Sequence, residues 1–528
     1  MATLHPGADP APPAAAKTFL GHPLGLFVLF FAEMWERFSY YGMRALLIFY
    51  LTKHWLFDDG KANLIYGAYT SLVYITPVLG GYLADRYLGQ RKAVLFGGVL
   101  LTIGHLLMAF EGSGGQADAT INVFWAALAV IIVGSGFLKA NISVIVGQLY
   151  PLTDVRRDGA YTIFYIGINL GAFIGTLVAG YLGETYGWRY GFGAAGVGML
   201  LGLVVFVLGK PLLLGQGEAP RPLPKRLEWG LYALGILAIA VIWALIQYQD
   251  VIQSLLIVSG VAMLLYVLWE SFKLEPHARD RMFAILFLIA LNPVFWGLFE
   301  QAGGSLNIYT DRYVDRAGVP ASLFQSINPF YIMVLGPVFA WLWVVLGRRG
   351  LEPSAPAKFG LALIQVGLSF LVFVWGARAT GMEALTPVVF VFLIYLLQTS
   401  GELCLSPVGL SAMNRLAPRH LASLIMGAWF YMTAVGNFVA GKIGEATGGE
   451  SGVATKEGTL AVYDRIGWIT IAVAVVVLVL SPMVRRLMHL DTLRDHAGHG
   501  MAGEAELAEP QGAGYRTDTE LKMDGQTR

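Results

Sequence analysis

The stretch of sequence that decides the fold runs from Leu24 to Thr52 and reads LGLFVLFFAEMWERFSYYGMRALLIFYLT. It is longer than the roughly 20 apolar residues that an α-helix needs to cross the hydrocarbon core of a membrane. Its middle nevertheless carries Glu33, Glu36 and Arg37, and Arg44 follows two turns later. The stretch therefore predicts a membrane-spanning helix with a charged stripe along one side.

The composition of the whole chain agrees with a membrane protein. Of its 528 residues, 56% are hydrophobic and 13% are charged, and the mean hydropathy is +0.61; soluble domains carry about 25% charged residues. The 36 Lys and Arg are balanced by 35 Asp and Glu, so the chain offers no basic field, and we expect no nucleic-acid partner. The single cysteine, Cys404, excludes an intrachain disulfide and a cysteine metal cluster.

Apolar stretches of sufficient length recur along the chain and predict fourteen spanning helices. The predicted spans are 24–52, 63–84, 92–110, 120–148, 161–182, 188–208, 227–247, 252–272, 282–302, 323–346, 359–377, 386–410, 422–444 and 466–488. Cytoplasmic loops carry an excess of Lys and Arg. With the N-terminus inside, 21 basic residues fall on the cytoplasmic side and 9 on the outer side, which predicts that both termini are cytoplasmic.

The spacing of the spans predicts two six-helix bundles with an inserted pair of helices. The connection 209–226 contains four prolines and four basic residues and separates six helices from eight. Helices seven and eight form a hairpin, and its removal leaves six and six. The predicted organisation is a disordered tail (1–20), an N-terminal bundle (21–208), a linker with the inserted pair (209–280), a C-terminal bundle (281–490) and a flexible cytoplasmic tail (491–528). In many such transporters the substrate site lies between the two halves.

Seven ionisable side chains remain inside the predicted spans, and such residues usually face a cavity, form pairs and mark a transport pathway. They are Glu33, Glu36, Arg37, Arg44, Lys139, Glu300 and Glu402. The alternative is a purely structural network of ion pairs. Four acids against three bases leave one surplus negative charge, and burial disfavours the charged form of a carboxyl group. The cluster therefore indicates proton coupling.

Depths along the helices predict two ion pairs, because the chain rises about 1.5 Å per residue in an α-helix. Arg44 and Glu300 both lie near the outer surface, so they are expected to pair. Lys139 and Glu402 both lie in the cytoplasmic portion and predict a second pair between the halves. On the first helix, Glu33, Glu36, Arg37, Tyr40, Tyr41 and Arg44 fall within an arc of roughly 140° that is expected to face a cavity.

Several motifs resemble those of one transporter family. The run EMWERFSYYG from Glu33 to Gly42 resembles the ExxERFxYYG motif of the proton-dependent oligopeptide transporter family, a branch of the major facilitator superfamily. FYIGINLGA from Phe164 to Ala172 is similar to the family signature FYxxINxGS, with Ala172 in place of Ser. GELCLSP from Gly401 to Pro407 resembles its GE motif. The resemblance covers roughly residues 24–490.

The resemblance implies the major facilitator fold and a proton-coupled symporter that imports di- and tripeptides by alternating access. It implies a multi-pass protein of the bacterial inner membrane, with protons as the coupling ion, no other cofactor, the lipid bilayer as its surroundings and a monomer as the working unit. The implied proton-coupling and gating residues are Glu33, Glu36, Arg44 and Glu300, together with Lys139 and Glu402.

The residue types fit a peptide substrate on physical grounds. The charged ends of a short peptide lie about 7–10 Å apart. Arg37 and Lys139 can bind the carboxylate, and Glu402 can bind the ammonium. The amides of Asn169 and Asn328 can bond to either end. Aromatic residues can form side-chain pockets, and the candidates are Tyr40, Tyr41, Tyr74, Trp296, Trp429 and Phe430.

Other functions remain open at this stage. A transporter for nitrate or a drug-like solute would share the fold, although nitrate requires no carboxylate such as Glu402. A membrane-embedded enzyme would require a nucleophile or a metal constellation, and the spans contain only His105 as a histidine. A channel would require a repeated selectivity loop. Gly167, Gly171 and Gly175 are spaced for close helix packing, which is a simpler explanation for them than phosphate binding.

Overall fold

The computed structural model describes residues 17–151, 154 and 156–490 and is almost entirely helical. Fifteen α-helices are present in these residues: α1 Leu24–Phe49, α2 Asp59–Leu83, α3 Gln90–Met108, α4 Ile121–Gln148, α5 Arg156–Tyr186, α6 Trp188–Leu208, α7 Lys225–Leu245, α8 Gln249–Phe272, α9 Pro276–Phe299, α10 Ser305–Tyr313, α11 Ile327–Arg348, α12 Ala355–Thr380, α13 Val389–Leu416, α14 Ala422–Thr447 and α15 Lys456–Leu487. Two short strand pairs join β1 (Thr18–Phe19) to β2 (His22–Pro23), antiparallel, and β3 (Val314–Asp315) to β4 (Thr386–Pro387), parallel.

The prediction of an all-α protein with fourteen spans is confirmed. Among the described residues, thirteen helical segments are long and apolar enough to cross a membrane, and α9 and α10 form one of them. Helix α1 adds the fourteenth span: its 26 residues are long enough, but it is not among the thirteen because four of its residues are charged. Successive spans run in opposite directions. We call the side where α1 begins and α15 ends the terminal face, and the other side the opposite face.

The spans form two halves that pack around separate cores. The first half contains α1–α6 and the second contains α9–α15, and each half has its own large cluster of buried apolar side chains. Between them in sequence, α7 packs against α4 of the first half, whereas α8 packs against α9 and α14 of the second half and, near its start, also against α2 of the first. The two halves meet along α2 and α14, and along α5 and α11. A site between the halves is therefore bordered by helices of both.

Glycines allow the closest helix contacts, as the sequence predicted for α5. A Cβ atom at Gly171 would lie 2.1 Å from the carbonyl oxygen of Met34, and one at Gly175 would lie 2.3 Å from that of Phe38. Gly167 meets the ring of Phe30 in the same way. The backbones of α1 and α5 thus touch over two turns, and this contact fixes the position of the charged stripe of α1.

Several boundaries differ from the sequence prediction. The tail predicted as disordered (1–20) is described only from residue 17, and its residues 18–19 form β1; residues 1–16 and the predicted flexible tail (491–528) lie outside the described residues. The second bundle begins with α9 at Pro276 rather than at residue 281. Helix α15 begins at Lys456 rather than at residue 466, because the side chain of Thr455 accepts a hydrogen bond from the Gly458 amide (3.0 Å) and caps a polar first part that hydropathy alone does not detect.

We expect Gly171→Ala to lower the melting temperature of the detergent-purified protein. The added methyl group would collide with the backbone of α1, and overpacking of this kind costs about 1–3 kcal/mol. The matched control is Gly193→Ala on α6, where no atom lies within 4 Å of the added Cβ. Equal melting temperatures for Gly171→Ala and wild type, followed by tryptophan fluorescence, would contradict the importance of this contact.

Candidate functional site

A cavity lies between the two halves. Its volume is about 100 Å³. Its wall is formed by α1, α2 and α5 from the first half and by α9, α11, α13 and α14 from the second. Its polar and aromatic lining residues are Tyr41, Arg44, Tyr74, Tyr165, Asn169, Thr176, Trp296, Phe299, Glu300, Gln325, Asn328, Tyr395, Glu402, Ser406, Trp429, Phe430 and Thr433. Charge of both signs and large rings therefore meet in one cavity.

On α1, a guanidinium lies between two carboxylates. Nε of Arg37 is 2.7 Å from Oε1 of Glu33 and 3.1 Å from Oε2 of Glu36. All three side chains are almost completely buried. Glu33 precedes Arg37 by one helical turn, and Glu36 is its neighbour in sequence, so these two contacts lie within one helix. The cluster stabilises three charges that would otherwise be costly inside a membrane.

Where the cavity approaches the opposite face, Arg44 of α1 forms an ion pair with Glu300 across the two halves. The prediction of this pair is confirmed. Nε of Arg44 also donates a hydrogen bond to the hydroxyl of Tyr66 on α2. Glu300 occupies this place because α9 ends there: residues 300–302 form a 3₁₀ turn, and Gly303 follows. A Cβ at Gly303 would collide with the Tyr66 hydroxyl, so the break in the helix can lie against α2.

In the second half, the carboxylate of Glu402 on α13 is held by an amide. Nδ2 of Asn328 on α11 donates to Oε2 of Glu402 (3.1 Å) and to Oγ1 of Thr399 (3.0 Å). Glu402 is only 5% exposed, and the exposed part belongs to the cavity wall. Asn328 therefore positions an acidic group for a cationic ligand and joins two helices of the same half.

Lys139 on α4 lies beside the cavity, behind two tyrosine rings. Its Nζ atom is 3.8 Å from the centre of the Tyr74 ring and 5.9 Å from that of Tyr40. The face of an aromatic ring attracts a cation, and Tyr74 itself lines the cavity. A pair between Lys139 and Glu402 stays a prediction.

The structure brings many of the predicted site residues into the cavity wall, but not all. Present in the wall are Tyr41, Arg44, Tyr74, Asn169, Trp296, Glu300, Asn328, Glu402, Trp429 and Phe430; Glu33, Glu36, Arg37, Tyr40 and Lys139 are not among the lining residues. The expectation that the whole stripe of α1 faces a cavity is therefore wrong for this structure, in which only Tyr41 and Arg44 of the stripe line the cavity. Helix α5 packs on the adjacent face of α1, with Gly171 against the backbone of Met34.

Several wall residues had not been singled out from the sequence. Tyr165, Ser406 and Thr433 each lie one helical turn from a predicted residue, namely Asn169, Glu402 and Trp429. Residues four apart share a helix face, so stepping by four along each helix would have found them. Gln325 lies in the short 3₁₀ segment Ala321–Ser326 before α11, and no periodic pattern marks it.

A second set of contacts closes the opposite face and was not foreseen. Both carboxylate oxygens of Asp59 on α2 accept hydrogen bonds from Arg312 on α10, at 2.6 and 2.7 Å. Glu184 at the end of α5 accepts hydrogen bonds from the amides of Ala321 (3.3 Å) and Ser322 (2.7 Å), which lie before α11. With the Arg44–Glu300 pair, these bonds join the halves above the cavity, so the structure is closed at the opposite face.

Comparison with known proteins gives a consistent result along almost the entire chain. A family model described as the POT family matches residues 91–456. The transporter YclF of Bacillus subtilis is 38% identical over 89% of this chain and 96% of its own length. The peptide transporter YePEPT of Yersinia enterocolitica is 35% identical (90% and 96%). The dipeptide and tripeptide permease B of Aeromonas hydrophila is 31% identical (94% and 99%).

Solved structures show the same similarity in three dimensions. A crystal structure of a variant of the peptide transporter POT with bound alafosfalin superimposes with a TM-score of 0.79, at 38% identity over 90% of this chain and 97% of that one. A POT family transporter with bound 5-aminolevulinic acid gives a TM-score of 0.77 at 33% identity, over 89% and 98% of the two chains.

We expect Arg312→Gln to open the opposite face. The reporter is a cysteine placed at Thr176 in a Cys404→Ser background, labelled with a membrane-impermeant maleimide added to the opposite face alone. Loss of a charged hydrogen-bonded pair worth about 1.4 kcal/mol would speed labelling about tenfold. The control is Arg378→Gln, because Arg378 pairs with Asp464 inside the second half. Equal labelling rates in the two variants would show that the Asp59–Arg312 pair does not hold the halves together.

Proposed function

The chain belongs to the POT family of membrane transporters, and on that premise we propose that it imports di- and tripeptides together with protons by alternating access. Relatives at 31–35% identity over nine-tenths of the chain are named peptide transporter and dipeptide and tripeptide permease. The chain is a transporter rather than an enzyme. The observation that carries the proposal is the buried carboxylate of Glu402, held by Asn328 in the wall of a cavity between the halves.

The cavity offers a complementary partner for each part of a short peptide. Glu402 binds the ammonium group, and the amides of Asn169 and Asn328 bond to the peptide link or to an end. The carboxylate is drawn towards Arg37 and Lys139, which lie directly behind the cavity wall and become accessible when the helices shift. The rings of Trp296 and Trp429 receive the substrate side chains. The polar groups thus select a zwitterion, and the aromatic walls tolerate different side chains.

Proton coupling is assigned to Glu300. In the closed state its carboxylate pairs with Arg44. Protonation of Glu300 would remove its charge and release Arg44, which weakens one of the contacts that close the opposite face. The buried pair thus links the uptake of a proton to the opening of the cavity. Glu33 and Glu36, paired with Arg37, are further candidates on the same helix.

The orientation in the membrane follows from the distribution of charge. The terminal face carries most of the basic residues outside the spans, so we place it and both termini in the cytoplasm of a bacterium, with the protein in the inner membrane. The structure closed at the opposite face then corresponds to an inward-facing or occluded state. A single chain contains both halves of the cavity, which supports a functional monomer.

A second candidate substrate is another zwitterion of similar size. A family member at 33% identity was crystallised with 5-aminolevulinic acid, which carries an amine and a carboxylate. The deciding experiment is uptake of a panel of labelled solutes into liposomes with an imposed proton gradient. Concentrative uptake of dipeptides supports the proposal, whereas uptake of 5-aminolevulinic acid without any peptide would replace it.

We expect peptides with a blocked terminus to compete poorly for uptake of a labelled dipeptide. Acetylation of the amine removes the charge that Glu402 binds, and amidation of the carboxylate removes the charge that attracts Arg37 and Lys139. Loss of one charged hydrogen bond costs about 1.5–3 kcal/mol, so inhibition constants should rise at least about tenfold. Equal inhibition by free and blocked dipeptides would contradict recognition of the two charged ends.

We expect Glu300→Gln to abolish concentrative uptake driven by a pH gradient while exchange of labelled peptide across the membrane continues. The amide mimics a protonated carboxyl group but cannot release a proton, and exchange requires no net proton movement. The matched control is Glu445→Gln, which removes a surface carboxylate paired with Lys442. Wild-type concentrative uptake by Glu300→Gln would eliminate Glu300 as an essential proton carrier.

A further inference from the structure

The inserted helices α7 and α8 separate from each other and leave a groove between them. A Cβ atom at Gly235 of α7 would lie 2.8 Å from the ring of Phe96, so α7 packs closely on the first half. Helix α8 is attached to the second half, because the Tyr431 hydroxyl donates to the Leu256 carbonyl (2.5 Å). Few residues of α7 and α8 approach each other. The space between them faces the surrounding membrane.

Helix α2 forms the floor of this groove. It packs against α4, which carries α7, and against α14, which carries α8. Nζ of Lys61 donates to Oε1 of Gln249 at the start of α8 (2.5 Å), so this side of α2 is turned towards the inserted pair. Leu79 lies eighteen residues later, which is five full turns, and therefore shares that side. Leu79 and Tyr82 are 64% and 55% exposed, so the floor is apolar and uncovered.

The surfaces of both inserted helices are apolar as well. They expose large apolar side chains over most of their length, including Leu234, Leu237 and Val241 on α7 and Val258, Val261 and Leu265 on α8. In a membrane such surfaces are in contact with acyl chains. The groove thus has the shape and polarity to accept acyl chains along α2.

Basic residues surround the groove where it reaches the terminal face. Arg86 lies in the turn that ends α2, Lys225 and Arg226 begin α7, and Lys273 follows α8. Counting also Lys92, which pairs with Glu228, five cations stand against four carboxylates, namely Asp85, Glu228, Glu270 and Glu275. Three of these carboxylates already have partners: Glu228 has Lys92, Glu270 has Lys273, and Asp85 accepts from Gln90. Arg86, Lys225 and Arg226 are exposed to solvent.

Two tryptophans mark the level at which a lipid headgroup would lie. Trp229 on α7 is 70% exposed, and Trp269 on α8 is 58% exposed, one turn from the terminal end of each helix. Exposed tryptophans are typical of the boundary between the hydrocarbon core and the headgroups. Nζ of Lys273 lies 3.0 Å from the centre of the Trp269 ring, so a cation is fixed at this level. The charges are thus placed where a phosphate would meet them.

We propose that this groove binds one anionic phospholipid, with its acyl chains along α2 between α7 and α8 and its phosphate at the basic residues of the terminal face. A zwitterionic lipid would fill the same apolar space but would gain less from the surplus of positive charge. Because the lipid contacts α7 and α8 together, it joins an element of the first half to one of the second.

The test is native mass spectrometry of the full chain in nonionic detergent, with phosphatidylglycerol and phosphatidylcholine of identical acyl chains as probes. Wild type should retain phosphatidylglycerol in preference to phosphatidylcholine, with one tightly held copy. The double variant Lys225→Gln with Arg226→Gln should bind it about thirtyfold more weakly, since each cation near the surface contributes about 1 kcal/mol. The matched control is Arg348→Gln with Arg349→Gln, which removes two exposed cations elsewhere on the terminal face.

The basic residues and the apolar groove can each be tested separately. Equal losses in both double variants would show a general attraction to basic surface and overturn the site. Leu79→Trp fills the groove and keeps every charge, so it should also reduce retention of phosphatidylglycerol; unchanged retention would exclude the groove as the place of the acyl chains. A rise in melting temperature produced by inorganic phosphate alone, equal to that produced by the lipid, would likewise overturn it.

Discussion

The structure depends on one constraint: a charge inside an apolar span needs a partner of opposite sign. Helix α1 brings four charges into the bilayer and can satisfy only some of them itself. Arg37 finds Glu33 and Glu36 on the same helix, whereas Arg44 reaches Glu300 in the other half. A pair within one helix survives any movement of that helix. A pair between the halves exists only while the halves are close together at that point. The Arg44–Glu300 pair can therefore stabilise one conformation of the protein over another.

The remaining contacts follow from the same division. Asp59–Arg312 and the amides bound by Glu184 join the two halves at the opposite face. Asn328 with Glu402, in contrast, lies within one half and keeps its geometry while the halves move. The Asn328–Glu402 bond thus shapes the cavity without joining the halves, whereas Arg44 and Glu300 both join the halves and line the cavity. Opening therefore changes one part of the cavity wall and leaves the geometry at Glu402 intact.

Sequence reasoning located the spans, the inserted pair and the Arg44–Glu300 pair, because hydropathy and depth along a helix depend only on position in the chain. It missed the Asp59–Arg312 pair, since both residues lie at span ends where charges need no explanation. It also overestimated the cavity-facing part of α1. The arc of polar residues is present on α1, but only its end at Tyr41 and Arg44 lines the cavity, because neighbouring helices bury the rest. Such coverage is a property of packing, which periodicity does not report.

The glycine contact between α1 and α5 has a mechanical consequence. Because their backbones touch at Gly171 and Gly175, we expect the two helices to move as one rigid unit. Arg44 lies on α1 and Glu184 lies on α5, and each of them contacts the second half at a different place. A movement of α1 that separates Arg44 from Glu300 also displaces Glu184 relative to the amides of Ala321 and Ser322. We therefore expect the two contacts to break together.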